Sequence, residues 1–149
     1  MRREETVDYH IRAAWLAIAR MYNQQAAKHE ATMAEGFVLL NIDVEEGTPA
    51  TKIAPLMGLE PRSLTRLLKS MEERGAIYRK VDENDKRSVR IFLTEEGIKG
   101  RERAKETVVR FNEAVREEIP QEKLNVFFDV IQHVSKIIER DTIFETVNH

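Results

Sequence analysis

The sequence predicts a mainly α-helical fold with one small β-hairpin. Over most of the chain, apolar residues recur at steps of three and four, which is the period of an α-helix. Only residues 76–81 and 88–93 replace that period with runs of β-branched and aromatic residues. The chain has 149 residues, of which 42% are hydrophobic, and we therefore expect one domain with its own core.

Two helices are predicted in the N-terminal part of the chain. Residues 5–29 form the first, because Val7 and Ile11 begin an apolar stripe that no Gly or Pro interrupts. The second covers about residues 32–44, and the segment 45–47, Glu-Glu-Gly, ends it.

Two further helices are marked by proline and glycine. Thr48 as N-cap and Pro49 in the first turn predict a short third helix that stops at Gly58. Pro55 lies within it and removes a backbone donor, so we expect a kink or a very short helix. Pro61 begins the fourth helix.

A β-hairpin follows Gly75, which ends the fourth helix. Residues 76–81 and 88–93 are its strands, and the charged segment 82–87 forms a long tip between them. Two long helices complete the chain. One starts after Thr94, and the other covers about residues 121–140.

The charge is distributed unevenly along the chain. The net charge is −2, but residues 61–90 contain nine basic and five acidic side chains. A basic middle within an acidic frame is typical of a protein that contacts phosphate with one part only. This points to double-stranded DNA as a partner of the fourth helix and the hairpin.

Several classes of protein are disfavoured by composition. No segment approaches the roughly 20 apolar residues that span a bilayer, and the N-terminus lacks the apolar run of a secretion signal. Cysteine is absent, which excludes disulfides and thiolate metal sites. We expect a cytoplasmic protein with no membrane contact.

The fourth helix has two different faces. Leu64, Leu68 and Met71 form an apolar stripe that also includes Leu67. The opposite face carries a basic set with one hydroxyl: Arg62, Thr65, Arg66 and Lys69. Preceded by a short helix and the turn at Gly58, this helix is typical of the second member of a helix-turn-helix. A solvated basic face on an ordinary amphipathic helix is the alternative.

The charged hairpin favours DNA binding, because a hairpin directly after such a helix is the wing of a winged helix-turn-helix. Asp85 is unusual at a phosphate contact, and we expect it to pair with a nearby arginine and orient it. A solvated loop of mixed charge is the alternative.

Two motifs carry a family resemblance. Residues 85–97, which run D-K-R-S-V-R-I-F-L-T-E-E-G, are similar to the D-x-R…L-T-x-x-G signature of MarR-family wings. Residues 61–69, P-R-S-L-T-R-L-L-K, resemble the recognition helix of that family, and residues 73–77 resemble its exit into the wing. The resemblance implies a bacterial winged helix-turn-helix transcriptional regulator, most often a repressor, without a cofactor.

The resemblance also implies which residues bind DNA. In the recognition helix they are Pro61, Arg62, Ser63, Thr65, Arg66 and Lys69. In the wing they are Asp85, Lys86, Arg87 and Ser88, with Arg87 in the minor groove and Asp85 bracing it. Within a single domain over residues 1–149, residues 32–97 would form the DNA-binding lobe. Residues 5–29 and 98–140 would form the dimerisation region.

The last helix has more apolar surface than one buried stripe requires, which indicates a second neighbour. A second copy of the chain is the expected neighbour, and the resemblance implies a two-fold dimer that binds a pseudo-palindrome. The residues assigned to this interface are Val7, Ile11, Leu124, Phe127, Phe128, Ile131, Val134 and Ile138. A tight monomeric bundle is the alternative.

By resemblance, a small aromatic or anionic effector would release the DNA. Trp15, Tyr22 and Phe37 are candidate pocket walls, although aromatic residues at helical spacing more often belong to the core. The absence of cysteine excludes effector sensing by thiol oxidation.

Other functions have less support. The four histidines, at positions 10, 29, 133 and 149, show no metal-binding spacing, so we assign no metal. Asp8 and His10, together with the distant His133, could hold zinc if the first and last helices pack together, which leaves a metal-responsive regulator as an alternative. A winged helix used for protein contact is another alternative. No phosphate loop, nucleophile elbow or cysteine nucleophile supports an enzyme.

Overall fold

The computed structural model describes residues 1–145, and this part of the chain contains six α-helices and three short strands. A single 3-10 turn at Arg3–Glu5 precedes the first helix. The helices are α1 Val7–Ala27, α2 Met33–Leu40, α3 Ala50–Met57, α4 Pro61–Glu73, α5 Glu95–Glu118 and α6 Gln121–Glu139. The strands are β1 Thr48–Pro49, β2 Ile77–Val81 and β3 Val89–Leu93. The predicted mainly α-helical fold with a β-hairpin is confirmed.

The sheet is antiparallel, with the strand order β1-β3-β2. Strands β2 and β3 form the predicted hairpin, in which Ile77 pairs with Leu93. Strand β1 was not predicted. It adds to the other edge of β3, where Thr48 pairs with Ile91.

The prediction that Thr48 is the N-cap of the third helix is wrong. The N-cap position is held by Pro49, and α3 starts at Ala50. The Thr48 hydroxyl instead accepts the backbone N–H of Asp43 at 2.9 Å, which closes the loop after α2. Thr48 is thus used for a turn and a strand and not for a helix.

Helix α2 is shorter than the predicted 32–44. It starts as expected, because the Thr32 hydroxyl accepts the backbone N–H of Glu35 at 3.2 Å. It ends at Leu40 because the Asp43 carboxylate accepts the N–H groups of Glu45 and Glu46, at 2.9 and 2.7 Å. Such a turn competes with helix for the same backbone donors.

The core lies between α2, α3, α4 and the sheet. Three turns of α4 bury Leu64, Leu68 and Met71 into it, and none of these side chains is more than 4% exposed. The other members come from α2, the loop after it, α3 and the two longer strands: Val38, Leu39, Ile42, Ile53, Ile77, Ile91 and Leu93. The core therefore fixes the position of α4 relative to the hairpin.

The chain divides into two compact units, and the boundary lies within α5, after Val108. The first unit contains the core and the sheet, and the second contains the rest of α5 together with α6. In residues 1–145, none of the helices has both the length and the apolar character that a bilayer crossing requires.

Candidate nucleic-acid interface

The outer face of α4 is basic and exposed. Leu64, Leu68 and Met71 point into the core, so the residues on the opposite side of the helix point outward. All members of the predicted recognition set on this helix are exposed: Pro61, Arg62, Ser63, Thr65, Arg66 and Lys69. Arg62, Thr65, Arg66 and Lys69 share one side of the helix, and Pro61 and Ser63 lie in its first turn.

The hydroxyl of Thr65 is used within the helix. Its Oγ1 donates to the backbone carbonyl of Pro61 at 2.8 Å. The hydroxyl proton is thus committed, and what Thr65 presents outside the helix is its methyl group and the lone pairs of its oxygen.

At the tip of the wing, Asp85 holds the backbone. Its carboxylate accepts the backbone N–H of Arg87 and the hydroxyl of Ser88, both at 3.0 Å. The side chains of Lys86 and Arg87 are exposed beside it. The prediction that Asp85 pairs with an arginine side chain needs correction, because in the described chain it orders Arg87 through the main chain.

An ion pair between Asp82 and Arg90 lies where the strands of the wing meet its tip, and sequence reasoning assigned neither residue a role. Arg90 donates to Asp82 at 3.1 Å, and its Nε donates to the carbonyl of Glu46 at 2.7 Å. The backbone N–H of Asn84, together with Arg90, holds the pKa of the Asp82 carboxyl below its usual value. Arg90 thereby joins β3 to the loop before β1.

A second junction connects the wing to α4 and α5. Thr94 Oγ1 lies 2.5 Å from the carbonyl oxygen of Gly75 and 3.0 Å from that of Ala76. The same oxygen accepts the backbone N–H of Gly97 at 3.1 Å. A Cβ on Gly97 would lie 2.0 Å from the Ala76 carbonyl oxygen, so only glycine fits there. This contact explains the threonine and glycine of the L-T-x-x-G motif.

The three predicted effector residues form an aromatic cluster. The rings of Trp15 and Phe37 are stacked at 6.5 Å between centroids, and Tyr22 meets Phe37 edge to face at 6.0 Å. Trp15 is 48% exposed, whereas burial raises the pKa of the Tyr22 hydroxyl. The cluster therefore joins α1 to α2 and keeps one aromatic ring partly open to solvent.

Helices α1 and α6 each expose apolar side chains. On α1 these include Val7 and Ile11, and on α6 Phe127, Phe128 and Ile138 are exposed. Ile131 and Val134 are half-buried. Leu124 differs from the rest of the predicted interface, because it is already buried within the single chain.

The histidines offer little for a metal. His10 Nε2 lies 2.6 Å from the carbonyl oxygen of Glu4, and His133 is exposed on α6. Within residues 1–145 no group of three or more metal-ligating side chains comes together. His149 lies outside the described residues.

Sequence similarity to known regulators establishes the family of this chain. An organic hydroperoxide resistance transcriptional regulator of Bacillus subtilis is 32% identical over 104 residues, which is 70% of this chain and 71% of that protein. The model of the MarR family matches residues 31–89, which span α2 to the start of β3. The chain belongs to the MarR family. It is therefore a transcriptional regulator and not an enzyme, as the sequence predicted.

This chain is also similar to two other regulators, one of them solved in two complexes. The regulator TtmR of Methylorubrum extorquens is 40% identical over 91 residues, which is 60% of this chain and only 47% of TtmR. The repressor CouR, solved with a 23-mer DNA duplex, is 25% identical with a TM-score of 0.77, covering 89% of this chain and 94% of that one. CouR of Rhodococcus jostii RHA1 was also solved with p-coumaroyl-CoA, at 24% identity and a TM-score of 0.80 over the whole chain. These structures have the winged helix fold that the sequence predicted.

Proposed function

We propose that this MarR-family chain represses transcription by binding a pseudo-palindromic DNA operator as a homodimer. The observation that carries the proposal is the outer face of α4, where Arg62, Arg66 and Lys69 are exposed opposite a buried leucine stripe. A helix of this kind enters the major groove with its basic face toward the bases. CouR, which shares the fold, was solved bound to duplex DNA.

Each residue of the interface has a proposed role. Arg62 and Arg66 are suited to guanine, whose O6 and N7 accept both donors of one guanidinium, and Lys69 is suited to phosphate. Thr65 offers its methyl group or oxygen lone pairs, because its proton is bonded to Pro61. Pro61 and Ser63 lie in the first turn of α4, which favours a phosphate.

The wing is proposed to contact the neighbouring minor groove through Arg87, with Lys86 on the flanking phosphate. Asp85 and Ser88 would hold the tip in shape, since their hydrogen bonds fix the backbone on both sides of Arg87.

The dimer is proposed to form through the exposed apolar side chains of α1 and α6. Dimer formation would remove five exposed apolar side chains from water: Val7, Ile11, Phe127, Phe128 and Ile138. The two-fold axis of the dimer would place two copies of α4 on one face of the DNA. We assign residues 5–29 and 98–140 to this dimerisation region and residues 32–97 to the DNA-binding lobe. Leu124 would support the interface from within the protomer.

DNA affinity is proposed to respond to a small aromatic or anionic effector at the cluster of Trp15, Tyr22 and Phe37. A planar aromatic ligand could stack on the partly exposed ring of Trp15. Thiol oxidation is not available as a signal, because the sequence contains no cysteine. Binding of a ligand to this cluster would change α2, which contributes Phe37 and packs on α3.

The proposal is tested by selecting duplexes from a randomised pool on the purified protein. Anisotropy of a labelled selected duplex is then measured at several salt concentrations, and light scattering gives the mass of the complex. We expect a two-fold-related sequence, two protein chains per duplex and a salt slope steeper than about −4 on logarithmic axes. Failure to enrich any sequence, with no salt-dependent binding, would favour the use of this winged helix for protein contact.

A further inference from the structure

Arg74, at the C-terminal end of α4, joins this helix to two distant parts of the chain. Its Nη1 lies 3.1 and 3.0 Å from the two carboxylate oxygens of Glu35 on α2. Its Nη2 donates to the backbone carbonyl of Glu30, in the turn between α1 and α2. One guanidinium therefore connects α4 both to α2 and to the turn before it.

The carboxylate that Arg74 binds is held firmly. The Glu35 side chain is 15% exposed, and its residue occupies the third position of α2, where the Thr32 hydroxyl accepts its backbone N–H. Thr32 also reaches the carboxylate of Glu35, at 3.4 Å. Charge-assisted hydrogen bonds to a partly buried, ordered partner are the stronger kind. Arg74 is thus attached to the first turn of α2 and not to a mobile surface chain.

The second partner of Arg74 has an unusual backbone. Glu30 has a φ of 59°, in the left-handed region that glycine normally occupies at the end of a helix. The turn is closed by the N–H of Ala31, which donates to the carbonyl of Ala26 at 3.0 Å. Because Arg74 binds the carbonyl of Glu30, the recognition helix and this turn hold each other in place.

The aromatic cluster lies on the same two helices that Arg74 connects. Phe37 is two residues after Glu35 on α2, and it stacks on Trp15 and meets Tyr22, both on α1. A rearrangement of this cluster would move the start of α2 relative to the turn after α1. Arg74 is bonded to both, so the end of α4 would follow.

We propose that Arg74 is a positioning residue for DNA recognition: it sets the orientation of α4 and couples it to the aromatic cluster of Trp15, Tyr22 and Phe37. This proposal rests on the proposed function, in which α4 reads the operator. Coupling between sites is reciprocal. DNA binding to α4 must therefore also change the arrangement of the aromatic cluster.

Removing the charge of Glu35 distinguishes a positioning role of Arg74 from a general electrostatic effect on DNA binding. Removing a carboxylate near a DNA-binding surface should strengthen binding, because it removes repulsion of phosphate. If Glu35 instead holds Arg74 in place, its loss should weaken binding. The substitution Glu35→Gln keeps a side chain that can complete the cap of α2, so the helix itself remains supported.

The decisive measurement is the affinity of Glu35→Gln for a labelled selected duplex, compared with wild type, Arg74→Lys and Arg74→Ala. The matched control is Glu73→Gln, which removes an exposed carboxylate next to Arg74 on α4. We expect roughly fivefold or greater weakening for Glu35→Gln and for both Arg74 variants, at the lower end of typical site coupling. Glu73→Gln should bind as tightly as wild type or more tightly.

The salt dependence distinguishes positioning from phosphate contact. Loss of one phosphate contact reduces the slope of the logarithmic salt plot by about 1, whereas loss of positioning leaves it unchanged. We expect the wild-type slope in Arg74→Ala, which removes the charge. Tighter or unchanged binding by Glu35→Gln, or a slope reduced by a full contact in Arg74→Ala, would overturn the proposal.

The fluorescence of Trp15, the only tryptophan, reports on the coupling. Excited at the red edge of its absorption, where DNA does not absorb, it should change on addition of saturating duplex to wild type. The change should be smaller in Arg74→Lys, even when that variant is saturated. No change in wild type, or the same change in both proteins, would overturn the coupling. If wild type binds no duplex in the anisotropy experiment, the proposed function itself fails and this proposal with it.

Discussion

Arg90 and Asp82 pair where the strands of the wing meet its tip, with 3.1 Å between Nη1 and Oδ2. The same guanidinium reaches the carbonyl of Glu46, in the loop before β1. One arginine on β3 thereby closes the wing on itself and attaches it to the segment that leads into the helix-turn-helix. The pair is partly buried, with 29% of the Arg90 side chain and 14% of the Asp82 side chain exposed, so it supports the tip of the wing from the strand ends.

The stability of the wing should therefore depend on pH through Asp82. Its pKa is lowered in the folded chain from the usual 3.8, so its contribution is present above that pH and is lost as the pH falls through the folded value. We expect Asp82→Asn to lower the free energy of unfolding at neutral pH, and the difference from wild type to shrink in acid. Urea unfolding at neutral pH and at about pH 3 measures this.

Glu83→Gln is the control for that experiment, since it removes the neighbouring exposed carboxylate of the wing. It should leave the pH profile close to that of wild type. A profile for Asp82→Asn that runs parallel to wild type over the whole range would show that Asp82 does not contribute.

Arg66→Ala and Arg87→Ala should each weaken DNA binding and leave the fold intact. Both side chains are exposed, and removing one base-reading arginine costs about 1–3 kcal/mol. Anisotropy with the selected duplex measures affinity, and thermal unfolding checks the fold. Lys105→Ala on α5 removes an exposed positive charge outside the proposed interface and serves as the control. Unfolding of either arginine variant would mean that the side chain is structural.

Phe128→Asp should dissociate the dimer. Phe128 is 39% exposed on α6, and a carboxylate left unpaired in a buried interface costs about 3–5 kcal/mol, or on the order of a hundredfold or more in dissociation constant. Sedimentation equilibrium over a range of concentrations measures the change. Asn125→Asp introduces the same charge on the polar side of α6 and should remain dimeric. An unchanged dimer for Phe128→Asp would remove this face from the interface.

Two glycines inside helices should respond oppositely to alanine. A Cβ on Gly36 would meet only the Cβ of Ala104 at 3.6 Å, an ordinary contact, so Gly36→Ala should gain about 0.5–1 kcal/mol of helix stability. A Cβ on Gly97 would meet the carbonyl oxygen of Ala76 at 2.0 Å, so Gly97→Ala should lose about 1–3 kcal/mol or more. Thermal unfolding at matched protein concentration compares them. Equal shifts would contradict the steric explanation.

The sequence was informative where a pattern repeats over several turns or has a specific turn residue. The leucine stripe of α4, Thr32 before α2, Thr94 before α5 and the charged hairpin were all predicted, and each is found. Strand β1 was not, because its two residues, Thr48 and Pro49, have no period and match a helix start equally well. Only the position of β3 decides between those interpretations.

The contacts that organise the site are long-range, and this is why sequence reasoning missed them. Arg74 and Glu35 are 39 residues apart, and Arg90 and the carbonyl of Glu46 are 44 apart. Nothing local marks which arginine of a basic segment faces DNA and which binds a carboxylate. Asp85 lies two residues before Arg87 and was expected to pair with an arginine side chain. Its carboxylate instead accepts the backbone N–H of Arg87 and the hydroxyl of Ser88.

Strand β1 contributes only two residues, but with Arg90 it joins the helix-turn-helix to the wing as one frame. In evolutionary terms, the separation between the two DNA-contacting parts is then not free to drift. An operator that differs in base identity can be matched by exchanging exposed side chains on α4. An operator that requires a different groove spacing would need changes in the frame itself. New specificities in this lineage should therefore arise at the outer face of α4 and the tip of the wing, while the junction that links them stays as it is.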